Sequence, residues 1–426
     1  MRSFPLVARL LLVTAVLSTA TASADGLIRD GQGAISMGRG GVNLGYADNG
    51  AIIIDNPAGM GNVSGTGLAD VSLDTVICSL KYTDSDNLNP DSSTNGYPLA
   101  SIGYICRNPD SPWTWGIGAF APAGFGAGYD LVNPHTGPSS YKSFGALVKI
   151  LPSLAYQVNE RLVVGGSFGL ALSHVQLEGP FYIQTGPFAG TPTLLHLQGT
   201  GVAPTGIVGL QYKLTPDTVL GLSYTEQTRF DFDGNASAQI ISPFGPLSSA
   251  FDARTSIKWP RSLGIGLMHQ FCSCSRVGFD VVWYDWSSAF DQLPITLSNS
   301  SNPVVGGLLG PQYQDSFPMN WHDSVSYRFG YEWSPTDDFT GRMGYVYHRS
   351  PVPDATLNPY LDGILEHVVT VGGSRRVGSS WINFAYQYSW SPTRTVGTSS
   401  IVGGDFSNSS LNAQAHWFSL SVLRNF

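Results

Sequence analysis

Gly165-Gly166-Ser167-Phe168-Gly169 fits the G-x-S-x-G signature of a serine nucleophile. In hydrolases that serine sits on a sharp turn from strand to helix. Here it lies inside Leu162–Leu172, a strand-like segment with no helix after it. An outer-membrane lipid hydrolase is therefore the weaker reading. Cys272-Ser273-Cys274 could be half of a metal site, but no second cluster of Cys or His accompanies it. The eight histidines are scattered, with no H-E-x-x-H or other paired spacing. Phosphate-binding loops and carboxylate pairs at catalytic spacing are lacking too. The chain reads as a non-enzyme, with no metal and no cofactor expected. With Cys78 and Cys106 the cysteines number four, which allows three disulfide connectivities in an oxidising compartment.

The elements that would carry a site are strands. Val71, Leu73, Thr75 and Ile77 alternate with Asp70, Ser72 and Asp74. Val325, Tyr327, Phe329, Tyr331 and Trp333 alternate with Ser324, Ser326, Arg328 and Glu332, and Ile382, Phe384, Tyr386, Tyr388 and Trp390 with Asn383, Gln387 and Ser389. A period of two puts one set on each face. About fourteen such segments can be counted, from 67–81 to 412–426. Their connections alternate between short, as at 108–111 and 377–378, and long, as at 121–142, 179–202, 232–250 and 291–319. Short turns at one end and long loops at the other are the pattern of a bacterial outer-membrane barrel. Charged residues make up only 12% of the chain, aromatics another 12%, and 50 of 426 residues are glycine. That composition, without a run of 20 apolar residues, suits a membrane barrel rather than membrane helices.

Residues 1–24 read as a signal peptide. Arg2 and Arg9 precede or enter a short apolar core, and Ala22-Ser23-Ala24 fits a small-x-small cleavage site. Removing Arg2 and Arg9 from 22 basic residues leaves 20 against 30 acidic ones, a mature net charge of −10. Nucleic acid is not an expected partner. The chain ends on Phe426, with Val422, Leu420 and Phe418 on the same face, as in the sorting signal of outer-membrane proteins.

Between signal and barrel runs GQGAISMGRGGVNLGYADNGAIIIDNPAG, Gly31 to Gly59. It is too glycine-rich for a good helix and must be held by surrounding structure. This run, with its Asn56-Pro57-Ala58-Gly59 end, resembles the N-terminal hatch of the FadL family, the outer-membrane channels for long-chain fatty acids and related hydrophobic compounds. The resemblance continues at Trp113–Tyr129, Val281–Phe290 and Tyr345–Asp354. It implies an all-β fold: a transmembrane antiparallel barrel of about 14 strands at 67–426, its lumen plugged by a hatch at 25–66. It implies uptake of a fatty acid or other hydrophobic small molecule in the bacterial outer membrane, with sideways release through a gap at an inward kink of the third strand. Expected partners are that molecule, outer-membrane lipid and the barrel-assembly machinery, with the channel a monomer. A general diffusion porin is the alternative, and the plug argues against it.

Gly116, Gly118, Gly124 and Gly126 around Pro122 are the candidates for the kink, because Pro cannot donate a ladder bond and Gly tolerates bulges. Asn56-Pro57 is a turn signal that could wedge the hatch against the wall. Phe181, Tyr182 and Phe188 in the third long loop, and Leu308, Leu309 and Phe317 in the fifth, supply apolar surface for capture or for closing the mouth. For a fatty-acid carboxylate, Arg29, Lys142, Arg229 and Arg254 are candidates by placement alone.

Overall fold

The computed structural model describes residues 26–88, 90–92, 96–242, 245–361, 363–403 and 406–426; the expected signal peptide lies outside them. The strands are β1 (Gly67–Thr83), β2 (Gly96–Arg107), β3 (Trp113–Asn133), β4 (Gly137–Gln157), β5 (Leu162–Tyr182), β6 (Pro192–Thr215), β7 (Thr218–Thr225), β8 (Thr228–Ser242), β9 (Gly245–Trp259), β10 (Ser262–Cys272), β11 (Ser275–Tyr284), β12 (Gln292–Ser298), β13 (Gln312–Pro318), β14 (Ser324–Thr336), β15 (Phe339–Tyr347), β16 (His367–Val377), β17 (Ser380–Trp390), β18 (Arg394–Thr395) and β19 (Ser410–Asn425). They form one antiparallel sheet that closes when β1 pairs with β19, Leu68 opposite Asn425. Four wall positions are each built from two segments, β7 with β8, β9 with β10, β11 with β12 and β13 with β14. The wall is therefore a closed barrel of 14 strands.

The alternation resolves as expected for a barrel in lipid. Val71, Leu73, Phe329, Trp333, Ile382 and Phe384 are exposed on the outside, while Asp70, Ser72, Asp74, Arg328, Glu332 and Asn383 are buried inside. The polar interior is filled by the hatch. It carries two short helices, α1 (Gly33–Gly38) and α2 (Ile52–Asp55), and a 3-10 turn at Pro57–Asn62. Ile52, Ile53, Met60 and Val63 pack against Leu68, Ile105, Leu151, Val163 and Ile207 of the wall.

Strand lengths correct the sequence reading. The long connections expected at 121–142 and 179–202 are largely strand: β3 runs to Asn133, β4 starts at Gly137, and β5 and β6 reach Tyr182 and Pro192. The expected continuous strands at 217–231 and 251–271 are each broken, between Thr225 and Thr228 and between Trp259 and Ser262. The cause is solvent. Beyond the lipid, outward residues become polar (Arg229, Asp231, Asp233 and Arg254 are all exposed), so hydropathy fades although the ladder continues. At the outer end, buried residues of 350–361, 363–365 and 391–403 pack inward. Leu357, Tyr360, Leu361, Ile364, Val396 and Ile401 join Tyr82, Tyr129, Tyr141 and Phe317 in one buried cluster that covers the mouth. In the opposite turn Cys272 and Cys274 are bonded to each other, with Cα atoms 5.2 Å apart. Two short helices, α3 (Trp286–Ala289) and α4 (Pro303–Leu309), complete the outer segments.

Candidate functional site

The hatch is seated by wall residues that leave room for it. Asn56 is fully buried. Its Nδ2 donates to the carbonyls of Leu44 at 2.8 Å and of Leu210 in β6 at 3.2 Å, and its Oδ1 caps Ala58 N–H. A Cβ on Gly209 would stand 2.0 Å from Asn56 Oδ1, and one on Gly165 would stand 2.5 Å from Ala58 N. Only glycine fits at either wall position. The G-x-S-x-G run is thus a notch for Asn56-Pro57-Ala58. Ser167 Oγ donates to the Ile53 carbonyl of the hatch at 2.7 Å and shares a bond with Ser153 Oγ. Ser167→Ala should leave ester hydrolysis at the blank rate and lower barrel stability by about 0.5–1.5 kcal/mol, the usual worth of one hydrogen bond. Thermal unfolding in detergent, with an ester assay beside it, measures both.

Four wall carboxylates hold the rest of the hatch. Asp280 accepts from Asn43 and Leu44 N–H at 2.8 and 3.1 Å, Asp70 from Gly50 N–H at 2.9 Å, and Asp74 from Arg29 at 2.5 Å and Gly33 N–H at 3.2 Å. Glu332 accepts from Arg39 at 3.0 Å, from Arg342 at 2.5 Å and from Arg276. Arg39 also reaches Asp48 and lies 3.7 Å from the centre of the Tyr46 ring. Burial alone would raise the Asp48 carboxyl, but Arg39 and Arg276 outweigh it and hold it well below the usual carboxylate range. Burial pushes the neighbouring Asp55 up to about 6.

Where β3 leaves its neighbour, the wall opens. The β2–β3 ladder runs from Arg107–Thr114 only to Ile102–Ala119. β2 continues against β1 as far as Gly96. β3 instead shifts register against β4 between Phe120 and Ala123, so Ala121 and Pro122 together face Val148. The bulged strand finds its new partner in the hatch: Arg29 N–H donates to Pro122 O at 3.0 Å, and Gly124 N–H to Leu27 O at 3.2 Å. Gly116 lies below this gap, paired on both sides, and a Cβ there would meet Met60 of the hatch. Gly118 packs under the Phe120 ring, Gly124 beside the Gly145 carbonyl, and Gly126 faces Tyr97 of β2 across the gap.

Behind the bulge lies a cavity of about 110 Å³. Ile28, Pro122, Ala123 and Leu147 line one side, Trp259, Pro260 and Tyr284 the other. Lys149, buried on β4, also lines it and has no hydrogen-bond or ion-pair partner among the described residues. The four basic residues singled out by sequence each have a carboxylate already: Arg29 with Asp74 at 2.5 Å, Lys142 with Glu178 at 3.4 Å, Arg229 with Asp231 at 3.2 Å and Arg254 with Asp233 at 2.9 Å. Only Arg29 lines the cavity. Lys149 escaped sequence reasoning, although its signal is there: it is a lone cation inside Ala146-Leu-Val-Lys-Ile-Leu151, a strand otherwise apolar on both faces. Of the outer apolar candidates, Phe181 and Phe317 come together at 5.9 Å, and Phe181 stacks on Tyr360 at 4.6 Å, inside the packed mouth. Tyr182 is buried and Phe188 half-buried, Leu309 at the end of α4 packs against the cluster of Phe251, Leu297 and Val305, and Leu308 stays exposed.

The family described as outer membrane protein transport protein (OMPP1/FadL/TodX) matches residues 15–426. The chain belongs to this family. It is an integral β-barrel of the outer membrane that transports hydrophobic small molecules, and the family is one of channels, not enzymes. Among solved structures it is similar to the toluene transporter TodX of P. putida, at 23% identity over 93% of this chain and 99% of that one, with a TM-score of 0.78. It is similar to a Pseudomonas aeruginosa FadL homologue at 18% identity over 94% and 100%, TM-score 0.77, and to the toluene transporter TbuX of Ralstonia pickettii at 19% over 93% and 99%, TM-score 0.71. These likenesses show the FadL-type barrel-and-hatch fold. A comparison with curated proteins yields no match.

Proposed function

We propose that this channel releases its cargo sideways, from the inner cavity through the gap between β2 and β3 into the bilayer. The supporting observation is the early end of the β2–β3 ladder at Ile102–Ala119, with the cavity lined by the bulged residues Pro122 and Ala123. Physical cost favours that route. An apolar chain crossing an aqueous lumen gives up about 0.8 kcal/mol of burial per CH₂. A lateral exit keeps it on apolar surface. The hatch, tied to the wall by Asn56 and the four carboxylates, fills the lumen that a general porin would need open.

The cargo in this reading is an apolar molecule with an anionic end, such as a fatty acid, rather than a neutral hydrocarbon. The support is Lys149. A buried ammonium without a partner is costly, and a carboxylate bound beside it removes that cost. Two of the solved relatives are described as toluene transporters, so the distinction is worth testing. Lys149→Met keeps most of the side-chain length and removes the charge. It should weaken dodecanoate binding by about 10–100-fold, the range of one charged hydrogen bond, and leave dodecanol binding unchanged. Titration of both ligands against the detergent-solubilised barrel decides. Equal affinities of the parent protein for the two would sink the anionic cargo.

A further inference from the structure

A second interruption of the wall lies away from the β3 bulge. β12 pairs with β9 from Ser298–Asp252 only to Ile295–Thr255. Below it, the next backbone contacts are Asp285 N–H to Arg261 O at 3.0 Å and the Tyr284–Ser262 rung of β11 and β10. Between these levels Ser256–Pro260 face the longer stretch 286–294, which loops through α3, with no ladder between them. The side-chain bridges are few: Lys258 Nζ to Ser288 O at 3.4 Å and Thr255 Oγ1 to Pro294 O at 2.7 Å.

The level of this seam is fixed by its neighbours. Below it the outward residues Leu263, Ile265, Leu267 and Phe279 are exposed apolar side chains that face lipid. Above it Arg254, Asp252 and Asp233 are exposed and face water. The seam therefore sits at the outer surface of the membrane, where amphipathic and apolar molecules collect.

Behind it is a second, narrow cavity of about 30 Å³, lined by Ile257, Ala289, Phe290 and Leu293 at the seam and by Phe125 and Leu177 opposite. Among the described residues no charged side chain lines it. Its floor and the inner cavity are separated by a ring pair: Phe290 lines the outer space, Trp259 the inner one, and their centroids are 6.3 Å apart. Trp259 Nε1 is buried without an acceptor among the described residues. The mouth directly above is filled by the buried Val352, Leu357, Tyr360, Leu361 and Ile364, and Leu361 lines this same cavity.

We infer that the seam between β9 and α3–β12 is the inlet: an apolar small molecule held at the outer membrane surface slips in beside Ile257 and Leu293, parts the side chains around the narrow uncharged cavity, and passes the Trp259–Phe290 pair to the inner one. The inference rests on the transport reading above. Its test is uptake of a pyrene-tagged dodecanoate by cells that lack other channels of this kind. Gln292 is exposed at the cavity rim. Gln292→Cys, labelled after assembly with a bulky maleimide, should slow uptake at least about tenfold relative to the labelled parent protein, because the inlet is filled. Ala289→Trp, checked for heat-modifiable mobility, should do the same, while equilibrium binding of the probe to the solubilised Gln292→Cys adduct stays within about twofold of the parent. Labelled Gln292→Cys with parental uptake would overturn the inlet, leaving transport itself intact. A parent protein that gives no uptake over empty cells would overturn the transport reading instead.

Discussion

Glu332→Gln is expected to unseat the hatch and make the barrel leak small polar solutes. Three arginines, Arg39, Arg276 and Arg342, meet two carboxylates, Glu332 and Asp48, in a buried cluster. Arg39 comes from the hatch and the other two from β11 and β15, so this cluster is a clasp between plug and wall. The variant leaves three cations sharing Asp48. Removing one partner from a buried ionic group costs about 3–5 kcal/mol, more than the Asn56 bonds replace. The wall itself keeps its ladders, because β14 pairs with β11 and β15 through backbone groups. Heat-modifiable mobility should therefore persist while sugar influx into proteoliposomes rises. An assembled variant with parental influx would mean that Asp280, Asp70, Asp74 and Asn56 hold the hatch without the clasp.

Mild acid should not mimic that variant. The folded Asp48 carboxyl is depressed by Arg39 and Arg276. Its stabilisation is present above the unfolded value and lost only as pH falls through the lower folded one. Asp55 has the opposite sign: its folded value, raised by burial to about 6, makes its ionised form unfavourable above that pH, and protonation relieves the hatch. Between pH 7 and about pH 5 the clasp is thus held and one burial cost is removed, so influx through the parent barrel should stay flat or fall.

The wall was legible in the sequence because lipid outside and a polar plug inside impose the cleanest period-two contrast, as in Ser324–Trp333 and Ile382–Trp390. Above the membrane that contrast weakens. Asp233 and Asn235 look like loop residues, yet they extend β8 as a ladder in water. The breaks at Pro260 and at Glu226–Gln227 were invisible, since backbone pairing is set by strands far away in sequence. Gly165 and Ser167 show the same limit from the side of chemistry. Their spacing matches a nucleophile motif, but what they contact is decided by Ile53 and Pro57, more than 100 positions earlier. Asn56-Pro57 was readable as a turn; the notch of Gly165 and Gly209 that receives it was not. Lys149 could have been found by asking which cation occupies an inward position with no acid in register.

Closing the gap at β3 is expected to abolish transport of hydrophobic compounds and leave the permeability to polar solutes low and unchanged. Two changes reach the gap by different means. Gly126→Trp puts a ring where a Cβ would already be 3.0 Å from the Tyr97 hydroxyl of β2, so it fills the opening from the β3 side. Deleting Pro122 removes one of the two residues that face Val148 and lets β3 continue in register with β4. It also takes away the carbonyl that Arg29 N–H binds, so the strand loses its inward partner and regains an outward one. Each additional rung with β2 satisfies backbone groups that otherwise face the cavity or lipid, which favours the straightened wall. Uptake of dodecanoate by cells carrying either variant should fall to that of cells without the channel. Gly116→Trp makes a third comparison, since it strikes Met60 below the gap; it should disturb hatch seating and raise polar influx rather than block the exit. Parental uptake by the Pro122 deletion, with its wall shown closed by structure determination, would sink the lateral route and leave passage through the hatch as the account that fits.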